Sequence, residues 1–186
     1  MIDNDKILFA KILAGDEEAV ESAIRMWHGG FVGFLCSMVN EEDAQDIAQD
    51  IYLKFIKNVH KLNNLQHAKR FIYKSGYRKA VDFIRRRNIA SKVIKDLAEN
   101  MPVTHGVIDK TVNDTLQKGL DTLSAKERAV ISLRFDSGMT TRETAQHLGI
   151  PQGTVLYRIH SAMGKLRKFF KKQGYAQVME AKDEAR

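Results

Sequence analysis

Two groups of side chains in this 186-residue chain have the types and spacing to grip a polyanion. Between residues 67 and 88, Arg70, Lys74, Arg78 and Arg85 recur so that on a helix all four fall within an arc of about 80°, with Tyr73 and Tyr77 along one margin. Like charges at i, i+4 cost an isolated helix a few tenths of a kcal/mol per pair, so the stripe implies an anionic partner from outside the chain. Cations interleaved with aromatic rings suit single-stranded nucleic acid. Phosphates meet the charges, and unpaired bases stack on the rings for about 1–3 kcal/mol each. Ordinary half-buried packing is the plainer reading of the two tyrosines. The opposite face, Ala68, Ile72, Gly76 and Phe83, is expected to be core.

The second group runs from Thr141 to Lys165. Ala145, Gly149 and Val155 stand four and then six residues apart, which is the spacing of a helix-turn-helix. A small Ala lets two helices approach, Gly149 takes the turn conformation, and Val155 and Ile159 bury the second helix. Gln152, Thr154, Tyr157, Arg158, Ser161 and Lys165 are then left to face outward. Such a set can read a duplex major groove: Arg suits guanine edges, Gln suits adenine, and Lys165 and Arg167 suit phosphates. A helical hairpin within a plain bundle is the bland alternative.

Charge is distributed in blocks around these groups. The chain carries 30 Lys+Arg against 23 Asp+Glu. Residues 1–58 hold 5 basic and 11 acidic residues, whereas residues 59–95 hold 11 basic residues and a single acid, Asp82. An acidic spacer, residues 96–123, separates that block from a second basic one, residues 124–186. Neutralising phosphates releases counterions, so such blocks favour nucleic acid over a merely solvated surface.

Composition excludes several other classes. With 44% hydrophobic residues, 2 Pro and no low-complexity run, the chain is expected to fold. Cys36 is the sole cysteine, so neither a disulfide scaffold nor a zinc ribbon is available, and a reducing cytoplasm fits. The six histidines, His28, His60, His67, His105, His147 and His160, are scattered, without metal-ligand spacing or a phosphate loop, so no enzyme, cofactor or metal is expected. His160, on the recognition helix, is the one that bears watching. The polar, acidic start implies no export signal. Apolar runs fall far short of the roughly 20 residues that span a bilayer, so no membrane insertion is expected.

These groups need helices to position them, and helical periodicity dominates while period-two alternation is almost absent. The spacing predicts an all-α chain of two small helical domains joined by a flexible linker. A short helix over residues 4–14 ends at Gly15, and Asp16 caps the next, which Gly29-Gly30 is expected to break. Asn40 to Asp43 opens a long amphipathic helix that ends near Asn58, and residues 67–88 form another. Residues 91–108, with Pro102 and Gly106, read as the linker between a first domain, 1–90, and a second, 109–175, with residues 176–186 as a tail. In the second domain a helix runs from about Asp109 to Thr122. Ser124 to Glu127 and Thr140 to Glu143 read as capping boxes, Gly138 stops a helix, and Pro151 is expected at the first position of the last one.

Taken in order, several strings resemble a known family: Asp43-Ala44-Gln45-Asp46-Ile47-Ala48-Gln49-Asp50, then Phe71-Ile72-Tyr73 with Asp82 and Arg85-Arg86, then Leu123 to Arg128, then Gly149 to Val155. They are similar to the extracytoplasmic-function (ECF) sigma factors, within the sigma-70 family of bacterial RNA polymerase, over about residues 10–170. The resemblance implies a protein of the cytoplasm that binds core polymerase and directs promoter recognition, melting and initiation. It implies that Asp46, Gln49 and Asp50 dock on the β′ clamp. It further implies that Asn63, Asn64, Arg70, Tyr73, Lys74, Tyr77, Arg78, Arg85 and Arg86 hold the minus-ten strand, with a flipped base beside the asparagine loop.

The second domain would meet the β flap and read the minus-thirty-five duplex through Thr141, Arg142, Gln152, Thr154, Leu156, Tyr157, Arg158, His160, Ser161 and Lys165. An anti-sigma factor is an expected partner. Leu156 and Ser161 stand where many members are basic, which leaves Arg158 as the main reader of guanine; Arg78 stands where Asn is frequent, and Phe71-Ile72 where Trp-Leu is frequent. The rival reading is a stand-alone regulator that binds operator duplex through the second domain without polymerase.

Overall fold

The computed structural model describes residues 2–97 and 112–173, and among them are eight α-helices and no strand. Most of the expected linker, with Pro102, His105 and Gly106, and the expected tail lie outside the described residues.

In the first domain, α1 spans Ile2–Leu13, α2 Glu17–Cys36, α3 Glu41–Asn58 and α4 Leu65–Leu97. Gly15 turns the chain at φ 84°, and the Asp16 carboxylate accepts the Ala19 N–H at 3.0 Å to start α2. Asn40 does the same for α3 through Asp43 N–H at 2.8 Å, with Glu41, Glu42 and Asp43 at the positive end of the helix dipole.

Gly29-Gly30 does not break α2, contrary to its local signal. Two glycines cost a helix interior about 1 kcal/mol each, but Trp27, Phe31, Phe34 and Leu35 around them are buried and hold it continuous. Gly30 also lets α4 come close, since a Cβ there would stand 3.2 Å from the Tyr73 hydroxyl. Nor does α4 stop near residue 88; it continues to Leu97, into the stretch expected as linker.

The core of this domain is aromatic. Trp27 meets Phe55 edge-on at 5.8 Å, and Phe31 and Phe34 pack on Tyr73 at 5.2 and 5.4 Å. At Gly76, α4 comes so close to α2 that an added Cβ would lie 2.5 Å from Phe31 Cζ. Phe31 is fully buried and has nowhere to retreat. Gly76→Ala is therefore expected to destabilise the chain by up to about 2 kcal/mol: overpacking of about 1–3 kcal/mol is set against a helix-propensity gain of about 1 kcal/mol. Thermal unfolding followed by circular dichroism checks it, and an unchanged or raised midpoint would contradict it.

The second domain comprises α5 (Val112–Asp121), α6 (Ala125–Ile131), a wide π-turn (Ser132–Asp136), α7 (Thr141–Leu148) and α8 (Gln152–Lys172). Both capping boxes form: Ser124 with Glu127, and Thr140 with Glu143. Gly149 closes α7 at φ 65°, the left-handed conformation that its lack of Cβ permits. Pro151 sits one position earlier than expected, at the cap of α8, with φ −60° and ψ 145°. Val130, Leu133, Leu148 and Val155 are fully buried between the helices, as the helix-turn-helix spacing requires. Apolar packing does not stop at the domain boundary, for Ala145, Leu148 and Val155 belong to the same buried cluster as Phe31 and Tyr73, and α7 lies against α4.

Candidate nucleic-acid interface

The period of α3 buries Ala44, Ile47, Ala48 and Ile51 and leaves Asp46, Gln49 and Asp50 exposed on its far side. Asp50 is paired with Lys79 of α4, and Asp43 with Arg87 at 3.6 Å. These exposed pairs contribute little to stability, well under about 1 kcal/mol each. They do put the acidic face of α3 beside the cationic helix. Asp50, Arg78 and Arg86 line one open cleft of about 560 Å³, together with Lys54, Lys79 and Asp82.

The stripe on α4 divides into two environments. Arg78, Arg85 and Arg86 face solvent, Arg85 beside Asp82 at 3.3 Å. Arg70 and Lys74 are half-buried, and Tyr73 and Tyr77 are only 2% and 6% exposed. Burial pushes the Tyr73 phenol up to about 12. Ahead of α4, Asn63 and Asn64 are both exposed, but the Asn64 side chain accepts the His67 N–H at 2.7 Å and so starts the helix. Neither described cleft is lined by these asparagines.

Tyr73 is already packed on Phe31 and Phe34 within the first domain, and the second domain adds contacts to both tyrosines. Arg158 of α8 donates to the Tyr77 hydroxyl at 2.8 Å, and His147 of α7 stands edge-on to Tyr73 at 5.4 Å. Gly149 rests on the Lys74 stem so closely that a Cβ would lie 2.6 Å from Lys74 Cε. Farther along, Arg128 Nε donates to the Ser37 carbonyl at 2.6 Å. The His147 ring is 3% exposed; its Nδ1 lies 2.9 Å from the Glu143 carbonyl, which can only accept, so the proton is on Nδ1. Its Nε2, like Arg70 Nε, is buried with no hydrogen-bond partner among the described residues. Burial pushes the imidazole below its usual range; Lys69 and Arg70 act in the same direction, and Glu143 opposes them.

On α8, Gln152 and His160 are exposed, Leu156 and Tyr157 are 54% and 73% exposed, and Thr154 and Arg158 are half-buried. On α7, Arg142 is exposed and Thr141 half-buried. Ser161 and Lys165 are engaged inside the domain. Glu127 Oε1 accepts Ser161 Oγ and its Oε2 accepts Lys165 Nζ, both at 2.7 Å, while the same carboxylate takes the Ser124 N–H at 2.8 Å and Ser124 Oγ at 2.7 Å. Burial pushes this carboxyl up, but the hydrogen bonds from Lys165, Ser124 and Ser161 outweigh it and hold Glu127 at about 2. Read locally, Glu127 is only the third residue of a capping box. Its hold on α8 spans 34 and 38 residues, beyond any helical period.

The arrangement offers exposed cations, sheltered rings and an outward recognition helix, and it has counterparts among known proteins. The family model for Sigma-70 region 2 matches residues 23–89 and that for Sigma-70, region 4 matches residues 119–168, so that together they span more than half of the chain. RNA polymerase sigma factor SigV of Bacillus subtilis is 28% identical over 128 residues, covering 69% of this chain and 76% of the relative. ECF RNA polymerase sigma factor SigW of the same organism is 23% identical over 172 residues, covering 85% and 92%. Two solved structures share the fold, each with a TM-score of 0.63. One is the sigma factor RpoE in complex with the anti-sigma factor NepR from Bartonella quintana (20% identity; 81% of this chain, 96% of that one). The other is CnrH in complex with the cytosolic domain of CnrY (23% identity; 90% and 97%).

Proposed function

The chain belongs to the sigma-70 family of bacterial RNA polymerase sigma factors, in its ECF group, and we propose from that membership a division of labour among its surfaces. It is a sigma factor: it binds core polymerase and directs promoter recognition, melting and initiation, a regulatory rather than a catalytic task carried out in the cytoplasm. Asp46, Gln49 and Asp50 dock on the β′ clamp, and the second domain approaches the β flap. Arg78 and Arg86 take minus-ten phosphates from the cleft and Arg85 from the solvent face beside it, with Arg70, Tyr73, Lys74 and Tyr77 joining them, and Asn63 and Asn64 flank the captured base. Gln152, Thr154, Leu156, Tyr157, Arg158 and His160 read the minus-thirty-five duplex, flanked by Thr141 and Arg142 at phosphates, while Ser161 and Lys165 hold the helix in place. An anti-sigma factor is the expected restraint on these surfaces.

The observation that carries this reading is the exposed acidic face of α3 set against the cationic α4, on one chain with a helix-turn-helix. A stand-alone operator-binding regulator does not account for relatives that match over both regions. Energetics point the same way. Opening about ten base steps costs on the order of 14 kcal/mol at roughly 1.4 kcal/mol per step. Two captured bases return only about 2–6 kcal/mol, so the chain needs the polymerase to melt DNA. With bacterial core enzyme and a genomic fragment library, start-site-specific transcripts are expected, and a reporter base in the bubble should brighten only when chain and core are both present. Absence of specific starts, or opening by the chain alone, would overturn the reading.

A further inference from the structure

We propose that the minus-thirty-five element served by this chain is read at A·T pairs and not at guanine, with Leu156 and Tyr157 meeting thymine methyl groups in the major groove and Gln152 a nearby adenine. The inference rests on the sigma-factor reading above and adds to it the class of base that the second domain prefers.

Val155, Ala162 and Leu166 bury one side of α8 in the second domain. At about 100° per residue, the opposite side carries Gly153, Tyr157, His160 and Gly164, with Leu156 beside them and Gln152 at the helix start. All six are exposed, Leu156 at 54% and Tyr157 at 73%. A Cβ at Gly153 or Gly164 would meet nothing within 4 Å, so the backbone itself can approach a groove wall there. None of the six carries a fixed charge. In a helix-turn-helix it is the first residues of the second helix that touch base edges, and here those residues are an amide, a glycine and two large apolar side chains.

The cations of α8 lie elsewhere. Arg158 stands about 200° round the helix from both Leu156 and His160; it is half-buried and donates to the Tyr77 hydroxyl at 2.8 Å, which places it at the flank of the contact. Lys165 is paired with the Glu127 carboxylate at 2.7 Å. Arg167, Lys168, Lys171 and Lys172 occupy the last turns, and Arg167 lies about 22 Å beyond Gln152 at 1.5 Å per residue, well past a groove about 8.5 Å deep. They attract phosphate but reach no base. Guanine is recognised chiefly by Arg or Lys on its O6 and N7, and this face has neither. Thymine is told apart by its C5 methyl group, which an apolar side chain recognises by shedding water from both surfaces. Gln152 suits the N6 and N7 of adenine. One turn separates Gln152 from Leu156, a rise of about 6 Å or roughly two base-pair steps of 3.4 Å, so both bases belong to one short run. His160, a turn farther on, can donate to the N7 that both purines share and so does not choose between them.

The test uses the full chain bound to bacterial core polymerase. From a library of barcoded templates randomised over the minus-thirty-five region, sequenced transcripts should be enriched about tenfold in elements with a run of A·T pairs. In the preferred element, deoxyuridine in place of thymidine removes only the methyl groups, and initiation should fall about fivefold. Leu156→Ala combined with Tyr157→Ala should use the two templates equally, at the lower rate; both side chains are exposed, so the melting midpoint is expected to hold. Leu156→Arg, which supplies a guanidinium to the same face, should shift the enrichment toward guanine. Selection of a G·C element by the wild type, equal use of thymidine and deoxyuridine templates, or a deoxyuridine effect that survives in the double variant would each overturn the proposal while leaving the sigma-factor reading intact. Absence of specific starts on every template would instead remove the sigma-factor reading, and the proposal with it.

Discussion

Changing Asp46 and Asp50 together to lysine should weaken association with core polymerase at least a hundredfold and abolish specific transcription, while thermal stability stays nearly constant. Both carboxylates are exposed on α3, where surface substitutions move stability by about 0.5 kcal/mol or less. The Asp50–Lys79 pair lost in the process is itself solvent-exposed and contributes under about 1 kcal/mol. Across an interface the arithmetic is different, since like charges brought together cost several kcal/mol, and about 2.8 kcal/mol is already a factor of one hundred. Sedimentation or fluorescence anisotropy with labelled chain measures the loss. Undiminished binding by the double variant, with an unchanged melting midpoint, would remove α3 from the polymerase contact.

Glu127→Ala should lower the stability of the second domain by about 2–4 kcal/mol and its midpoint by roughly 10–20 °C. One carboxylate here completes the cap of α6 and anchors two side chains one turn apart on α8. Its loss frees the cap N–H of Ser124 and lets the recognition helix rotate. Duplex binding to a minus-thirty-five site should fall with it. Glu127→Gln keeps an acceptor for Ser161 but loses the charge opposite Lys165, so it should recover about half of the loss.

The pH dependence follows from the depressed carboxyl. Because Glu127 lies at about 2 when folded, below its ordinary 4.5, its contribution is complete above about pH 4.5 and drains away as the pH falls toward 2. Denaturation of wild type and Glu127→Ala, compared at pH 7 and pH 3, checks this. A gap between the two proteins that is no smaller at pH 3 would mean that the charge of Glu127 is irrelevant to its hold.

Local pattern carried much of this molecule, and where it failed the partner was distant in sequence. The Asn40 cap, the acidic first turn and the Ala44, Ile47, Ala48, Ile51 period of α3 lie within one window, and the helix and its exposed face are as that window implies. Gly29-Gly30 is a breaking signal in the same kind of window, overridden by aromatic packing from α3 and α4. After Asn88 no Pro or Gly intervenes before Pro102, so nothing in the chain obliged α4 to end where the cationic stripe did. A helical wheel placed Tyr73 and Tyr77 at the margin of a face. It had no means to say that α7 and α8, seventy to eighty residues on, would cover that margin. Ser161 and Lys165 were legible as polar positions on α8, but not as ligands of a carboxylate on α6.

The Tyr77–Arg158 hydrogen bond ties together two halves of the molecule that promoters address separately. A substitution at either position removes that bond and so alters how firmly one half holds the other. Hybrids that graft a foreign reading domain onto residues 1–97 would inherit mismatched restraint, too loose or too tight, even when each part recognises its own DNA correctly.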